Sequence, residues 1–175
     1  MTSVQSIRAV SLSRRRTRGQ IVFSGRYFGC ALGRGGMAAR KREGDGGTPI
    51  GVFGLVRVLY RADRGRRPAT GLPVSVIRRH DGWCDAPSDR NYNRAVRLPY
   101  PASCEQMWRE DGLYDIVVVL EHNRRPRVRG AGSAIFMHLA RPGYAPTEGC
   151  IALERRDLKL VLARLGRGTR IVIGS

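Results

Sequence analysis

The chain has 175 residues, 42% of them hydrophobic and 26% charged, which suits one folded domain and excludes a disordered or low-complexity chain. No apolar run approaches the roughly 18 residues that a membrane-spanning helix needs, so no membrane span is expected. The formal net charge is +18, carried by arginine apart from Lys41 and Lys159, which fits a phosphate polymer, a carboxylate-bearing polymer or peptide, or simply a solvated arginine-biased surface.

The predicted elements are mostly strands. Ser3–Ser13 alternates loosely through Val4, Ile7, Val10 and Leu12, and a basic loop, Arg14–Gly19, follows. Gln20–Ser24 and Tyr27–Leu32 read as a hairpin around Gly25. Gly33–Gly47, rich in Gly and Arg, reads as a loop. Gly51–Tyr60 carries Val52, Leu55, Val56, Val58 and Tyr60 and is a strand candidate. The polar stretch Arg61–Pro73 is expected to be exposed, and Val74–Arg78 to be a short strand. Ser103 followed by Gln106 resembles a capping box, which predicts a short helix through Met107 and Trp108. Asp115–Glu121, built on Ile116-Val117-Val118-Val119-Leu120, is a buried strand. Gly132–Leu139 is the next, with His138 near its end. Arg156–Leu165 places Leu158, Val161, Leu162 and Leu165 on one helical face, and Gly166 and Gly168 stop it. Arg170–Ile173 is a closing strand. No linker separates two domains, so residues 1–175 are expected to form one mainly β domain with two short helices.

Arginine is scattered, with clusters at 14–16, 64–67 and 124–129. No basic helix, zinc-finger spacing or RNA-binding aromatic motif accompanies it, so nucleic acid is not expected as a partner. The four cysteines, Cys30, Cys84, Cys104 and Cys150, include no CxxC pair and no zinc pattern, and no metal or other cofactor is expected. With Cys150 free, at most one disulfide can join the other three, Cys84 to Cys104 among the options.

The segment Met137–Leu153 carries the most chemistry. It sets His138, then a Pro/Gly-rich loop, then Gly149-Cys150 entering an apolar run. A nearby imidazole can convert a cysteine thiol to the nucleophilic thiolate. Gly149 allows close approach of a substrate carbonyl, and amides around Cys150 offer donors to an oxyanion. Either residue alone is commonly structural, since free cysteines mostly pack. Together they point to cysteine acyl transfer, with Cys150 as nucleophile and His138 as base. A catalytic Cys150 is then expected to react with thiol reagents well below pH 8.5.

This segment resembles the active-site signature of the L,D-transpeptidase family, the YkuD-type domain of bacterial cell-wall enzymes. Thr147, Gly149, Cys150 and Ile151 match the family's Ser/Thr-His-Gly-Cys-apolar run. Glu148 stands where the family has a histidine, and the loop from His138 is shorter than usual. Gly44-Asp45-Gly46-Gly47-Thr48-Pro49-Ile50-Gly51-Val52-Phe53 resembles the family's second hallmark, G-x-x-T-P-x-G-x-F. The resemblance covers about Gly19 to the C-terminus and implies a YkuD-like β-sandwich with a few short helices.

It also implies a reaction. Cys150 attacks a carbonyl of meso-diaminopimelate or another residue of a peptidoglycan stem peptide, His138 protonates the leaving amine, and a thioester remains. An acceptor amine then gives a third-to-third or first-to-third cross-link; water gives carboxypeptidase or endopeptidase activity. Carbapenem-type β-lactams are expected to modify Cys150. A carbonyl from Gly132, Ser133 or a neighbouring loop is expected to orient His138. Thr147, Glu148, Arg141 and Tyr144 are candidate substrate contacts, with Glu148 pointing outward, and Arg155 is a weaker one. The segment from about 80 to 100 resembles a polar loop over the cleft in a short-chain proteobacterial branch. There Trp83 and Tyr92 would stack on sugar or peptide, and His80 and Asn91 would bind carboxylates or amides; a self-satisfied loop anchored by Trp83 is the alternative. His122 is expected to be structural. The family acts in the periplasm or cell wall, and a monomer is expected. Residues 1–16 lack the 7–15-residue apolar core of a secretory signal, so envelope location implies a removed signal, a different start or another route. The competing reading is a basic binding module for nucleic acid or wall polymer, with an unreactive Cys150.

Overall fold

The structure, a computed structural model, describes residues 6–11, 13 and 16–174. Ser3–Gln5 and Leu12 of the first expected strand, with Arg14 and Arg15 of the basic cluster, lie outside the described residues. Fourteen strands follow one another: β1 (Ser6–Val10), β2 (Arg18–Phe23), β3 (Arg26–Ala31), β4 (Met37–Ala38), β5 (Thr48–Pro49), β6 (Gly51–Tyr60), β7 (Val74–Val76), β8 (Asp81–Cys84), β9 (Arg94–Arg97), β10 (Cys104–Gln106), β11 (Ile116–Leu120), β12 (Phe136–Leu139), β13 (Ile151–Leu153) and β14 (Arg170–Gly174). Among the described residues one α-helix, α1 (Arg155–Leu162), lies between the last two strands. The mainly β expectation is met.

Nine strands make one sheet in the order β11-β12-β13-β3-β2-β1-β14-β6-β7. β11 also pairs antiparallel with β6, so the sheet closes on itself. The two layers of the expected sandwich are thus parts of one wrapped sheet, and closure leaves fewer edges open to other chains. Inside it, Ile7, Ile21, Val118, Met137, Ile151 and Leu153 pack with Leu158, Val161 and Leu162 of α1. These helix residues repeat at i, i+3 and i+4, which is why one face of α1 is buried.

A second core lies on the other side of β11 and β12. Val117, Val119 and Phe136 meet Ile77, Trp83, Met107 and Tyr114 there, beneath the small sheet β10-β8-β9. Successive strand residues face opposite sides, so a strand between two cores must be apolar throughout. That is the origin of the uninterrupted run Ile116–Leu120, buried at all five positions. The same alternation turns His138, two residues beyond Phe136, toward the second core.

Three expectations need correction. Ser103–Gln106 does not start a helix: Cys104–Gln106 is β10, with Cys104 opposite Cys84 and Glu105 opposite Trp83. A single helical turn is costly to nucleate, and ladder bonds with β8 are the better offer. Gly33–Gly47 is not all loop, because Met37–Ala38 pairs with Thr48–Pro49. Arg61–Pro73 is exposed only in part: Arg61 is 2% and Leu72 4% accessible. The Arg61 guanidinium forks onto Asp63, donates to the Arg109 carbonyl and lies 3.4 Å from the centre of the Trp108 ring, so its burial is compensated on every side.

Candidate active site

β12 and β13 run parallel, with Met137 opposite Ile151 and His138 opposite Ala152. Cys150 is the residue just before β13, so it falls beside Phe136 and shares a face with His138 and Ala152. All three line one cavity of about 390 Å³. The spacing His138–Cys150, unremarkable along the chain, becomes a strand-to-strand neighbour relation in the fold.

Cys150 is 8% accessible. Its thiol donates to the Ala134 carbonyl at 3.2 Å and accepts the Phe136 N–H at 3.4 Å. Burial pushes the thiol up to about 12; the Glu105 carboxylate adds to this and the Phe136 N–H opposes it. His138 is 6% accessible, and burial pulls its imidazole down to about 4, against the opposing effect of the Leu139 carbonyl. The resting site is therefore a neutral thiol beside a neutral imidazole, not the ionised pair expected from sequence. Desolvation decides this, because both charged forms lose more on leaving water than the dry site returns. The thiol and the ring share no hydrogen bond among the described residues.

Nδ1 of His138 lies 2.9 Å from the carbonyl oxygen of Leu139. A carbonyl can only accept, so Nδ1 carries the proton and Nε2 keeps its lone pair. The orienting group is thus the carbonyl of the very next residue, rather than one from Gly132 or Ser133. The ring also meets the Tyr114 ring edge to face at 5.2 Å.

The loop before Cys150 is fixed by its own residues. Thr147 Oγ1 donates to the Cys150 carbonyl at 2.6 Å and accepts the Gly149 N–H at 3.2 Å. The Thr147 hydroxyl is committed to the loop and is a positioning group rather than a free substrate donor. With the Gly149 N–H also taken, the Cys150 N–H, like that of Glu148, makes no hydrogen bond among the described residues. Gly149 has a φ of +132°, and a Cβ there would stand 2.8 Å from the Gly47 carbonyl oxygen. Gly33 is as tight: its Cβ would lie 3.0 Å from the Gly149 Cα. Its N–H donates to Thr48 Oγ1 at 2.8 Å, and Thr48 is wholly buried. The 44–53 hallmark is therefore a buttress under the Cys150 loop.

Other expected contacts separate into two groups. Arg141, Thr147 and Glu148 line the cavity. Glu148 points outward as expected and pairs with Arg34 at 2.7 Å. Tyr144 does not line it; its hydroxyl end packs over Gly29 of β3. Trp83 is 5% accessible, stacks edge to face on Phe136 at 5.1 Å and donates to Asn93 Oδ1 at 2.9 Å, so it is core rather than a stacking platform. Tyr92 is 3% accessible and donates to the Glu43 carboxylate. Asn91 bonds locally to Asp89 and Tyr100, and His80 is exposed away from the cavity lining. Apart from Asp85, whose buried Oδ1 has no hydrogen-bond partner, the 80–100 segment follows the self-satisfied alternative, and Asp85 lines the cavity. His122, with Nε2 3.0 Å from the Ala131 carbonyl, is structural. Arg155 pairs with Asp115 at 2.5 Å.

Sequence reasoning missed Tyr114, Glu105, Arg109, Glu43 and Asp85 and named Ser133 only for its carbonyl, yet all six line the cavity. Glu105 accepts the Tyr114 hydroxyl proton, and Arg109 lies 5.0 Å from the Tyr114 ring centre. No local pattern marks these residues, because they come from five separate segments. No group of His, Cys, Asp and Glu among the described residues converges closely enough to hold a metal ion.

A family model for the YkuD L,D-transpeptidase catalytic domain matches residues 8–173. The chain belongs to that family. Among solved structures, L,D-transpeptidase 1 of Mycobacterium tuberculosis is similar at 13% identity and a TM-score of 0.40, over 96% of this chain and 61% of that one. An L,D-transpeptidase from Mycobacterium smegmatis is similar at 14% identity and a TM-score of 0.40, over 97% of this chain and 58% of that one. This chain thus spans about three-fifths of the length of each. No curated protein sequence matches it. Within the L,D-transpeptidase family, no helix among the described residues of this member is long and apolar enough to cross a membrane.

Proposed function

We propose that residues 1–175 act as a single peptidoglycan L,D-transpeptidase domain that transfers the acyl group of a stem peptide through a thioester on Cys150. The observation that carries this is the shared cavity of Cys150 and His138, delivered by adjacent parallel strands, in a chain of this family.

The resting groups are neutral, so the proton leaves as the nucleophile attacks. The Cys150 sulfur forms a bond to the scissile carbonyl carbon while its proton passes to Nε2 of His138. The carbonyl oxygen becomes an oxyanion, which the Cys150 N–H is placed to receive. The Leu139 carbonyl stabilises the imidazolium through Nδ1–H. The C–N bond then breaks, the Nε2 proton moves to the leaving amine, and the thioester remains. An acceptor amine attacks the thioester, Nε2 takes its proton, and the Cys150 sulfur leaves and is reprotonated. The product is a third-to-third or first-to-third cross-link. Water in the acceptor place gives hydrolysis with the same two residues, so carboxypeptidase or endopeptidase action is the second outcome. Arg141 and Glu148 at the mouth would contact the stem peptide. No step calls on a cofactor, and the substrate places the protein at work in the periplasm or cell wall.

Purified muropeptides incubated with the enzyme and resolved by mass should yield cross-linked dimers, with trimmed monomers if water competes. Cys150→Ala should give neither while keeping the wild-type circular dichroism spectrum. Full turnover by Cys150→Ala would remove the mechanism.

A further inference from the structure

Three of the four cysteines take no part in the proposed chemistry, and the fold brings two of those three together. Cys30 packs in the first core and Cys150 in the second, whereas Cys84 and Cys104 stand directly opposite each other on β8 and β10. Backbone bonding fixes the kind of opposition. Along β8 and its flanks, the His80 and Cys84 carbonyls accept from Leu98 and Asn93 on the β9 side, at 2.7 and 2.8 Å. Asp81 and Asp85 bond on the β10 side, through the Met107 N–H at 3.0 Å and the Ser103 carbonyl at 3.2 Å. Cys84 and Cys104 are therefore a non-hydrogen-bonded pair, the class of antiparallel pair whose Cα atoms stand closest, about 4.5 Å apart with both side chains on one face. A disulfide spans roughly 4.4–6.8 Å between Cα atoms, so these two can join without moving the strands.

Access differs between the two sulfurs. Cys84 is wholly buried, and Cys104 is partly exposed, with its thiol donating to the Ala102 carbonyl at 3.4 Å. An oxidant therefore meets Cys104 first. Burial, the neighbouring Cys84 thiol and the Asp85 and Asp89 carboxylates raise the Cys104 thiol to about 11. Stabilised thiolates are what make a disulfide easy to reduce, and Cys104 has no such help, so the disulfide is the favoured form under oxidising conditions. The position matters as much as the chemistry. Asp85 follows Cys84 and Glu105 follows Cys104, and both carboxylates line the cavity that holds Cys150 and His138. β8 and β10 are only four and three residues long, so few ladder bonds hold this wall together.

The geometry points to Cys84 and Cys104 as a redox-active pair that a disulfide oxidant closes, clamping β8 to β10 across the acidic wall of the cavity. The Cys104 sulfur, as thiolate, attacks one sulfur of the oxidant's disulfide and displaces the other as a thiol. The Cys84 sulfur then attacks the Cys104 sulfur and displaces the second thiol. In all, the two protein thiols lose two protons and two electrons, and one oxidant disulfide becomes two thiols. In a reducing compartment the pair stays as free thiols, as in this structure. Cys30 and Cys150 are left unpaired, which keeps Cys150 available to a substrate. The clamp does not depend on the acyl-transfer reading, because it is a property of the small sheet.

The test equilibrates the full chain with oxidised glutathione or with dithiothreitol, denatures it in iodoacetamide and maps the cysteines by mass. The reduced protein should carry all four cysteines alkylated. The oxidised protein should be alkylated only at Cys30 and Cys150, with the peptides of Cys84 and Cys104 joined. The oxidised form should melt roughly 5–15 °C above the reduced form. Amides of residues 81–85 and 103–107 should exchange hydrogen at least about tenfold more slowly in it. Cys104→Ser, at a partly exposed position, should melt close to the reduced wild type and show no response to the oxidant. Full alkylation after oxidation, a glutathione adduct that stops on Cys104, or a bond that runs through Cys30 or Cys150 overturns the pair. A Cys84–Cys104 bond that leaves melting and exchange unchanged overturns the clamp.

Discussion

At the scale of single residues, the site shows what neighbouring sequence can and cannot announce. Cys150 and His138 were legible as a candidate pair because their residue types are uncommon and the flanking Thr147 and Gly149 match the family's signature. Thr147 was legible by type and misread by role, since its hydroxyl ties the loop through the Cys150 carbonyl and the Gly149 N–H. Protonation was not legible at all. The textual pairing of a thiol and an imidazole suggests a shared proton, but ionisation depends on how much water the fold leaves. Here burial holds Cys150 near 12 and His138 near 4. Iodoacetamide labelling of the free enzyme, mapped by mass to Cys150, should therefore rise only above the ordinary thiol range of about 8.5, with no step between pH 5 and 8. A labelling plateau already reached at pH 7 would show a preformed thiolate. The contrast matters for carbapenem-type β-lactams, whose reaction would then depend on the inhibitor carbonyl drawing the proton transfer.

At the scale of elements, legibility followed pattern length. β6, β11 and α1 carry ten, five and eight residues of sustained apolar pattern, and sequence found each of them. β8, β9 and β10 are three or four residues long and contain Gly82, Asp81 and two arginines, so no period can develop. They exist because β11 and β12 present an apolar outer face that something must cover. That cover is why Trp83, read as a substrate platform, is a structural residue. Trp83→Ala would empty the space against Phe136 and remove one of the two donors to Asn93 Oδ1, leaving the Ala134 N–H at 3.1 Å. Truncating a buried Trp costs about 3–5 kcal/mol, so the urea midpoint should fall sharply. Trp83→Phe should recover most of that loss, since it refills the volume and forfeits one hydrogen bond of roughly 1 kcal/mol. A Trp83→Ala enzyme with an unchanged midpoint and a raised KM would restore the platform reading.

At the scale of the whole molecule, the wrapped sheet sets the pH range in which the active site can exist. The sheet brings β12 and β13 side by side and the small sheet roofs them, so His138 is dry because the entire fold is closed. Its folded pKa of about 4 lies below the ordinary 6.5. Between those values the unfolded chain binds a proton that the native site refuses. The native state is therefore favoured above pH 6.5 and loses this contribution as pH falls toward 4. The separation of 2.5 units between those two values corresponds to about 3 kcal/mol at 1.36 kcal/mol per unit, a sizeable share of a domain's total stability. Carboxylates held low, such as Asp45 beside Lys41 and Asp111 beside Arg109, lose stability in the same direction. The His138 share is isolated by difference. Urea unfolding of wild type and His138→Gln should give stabilities whose gap shifts by about 3 kcal/mol in favour of the variant between pH 7 and pH 4. A gap that stays constant across that range would mean the imidazole is hydrated and its proton free to come and go. The same dryness that makes the domain fragile in acid keeps Nε2 of His138 unprotonated, and so able to accept the thiol proton, throughout the neutral range.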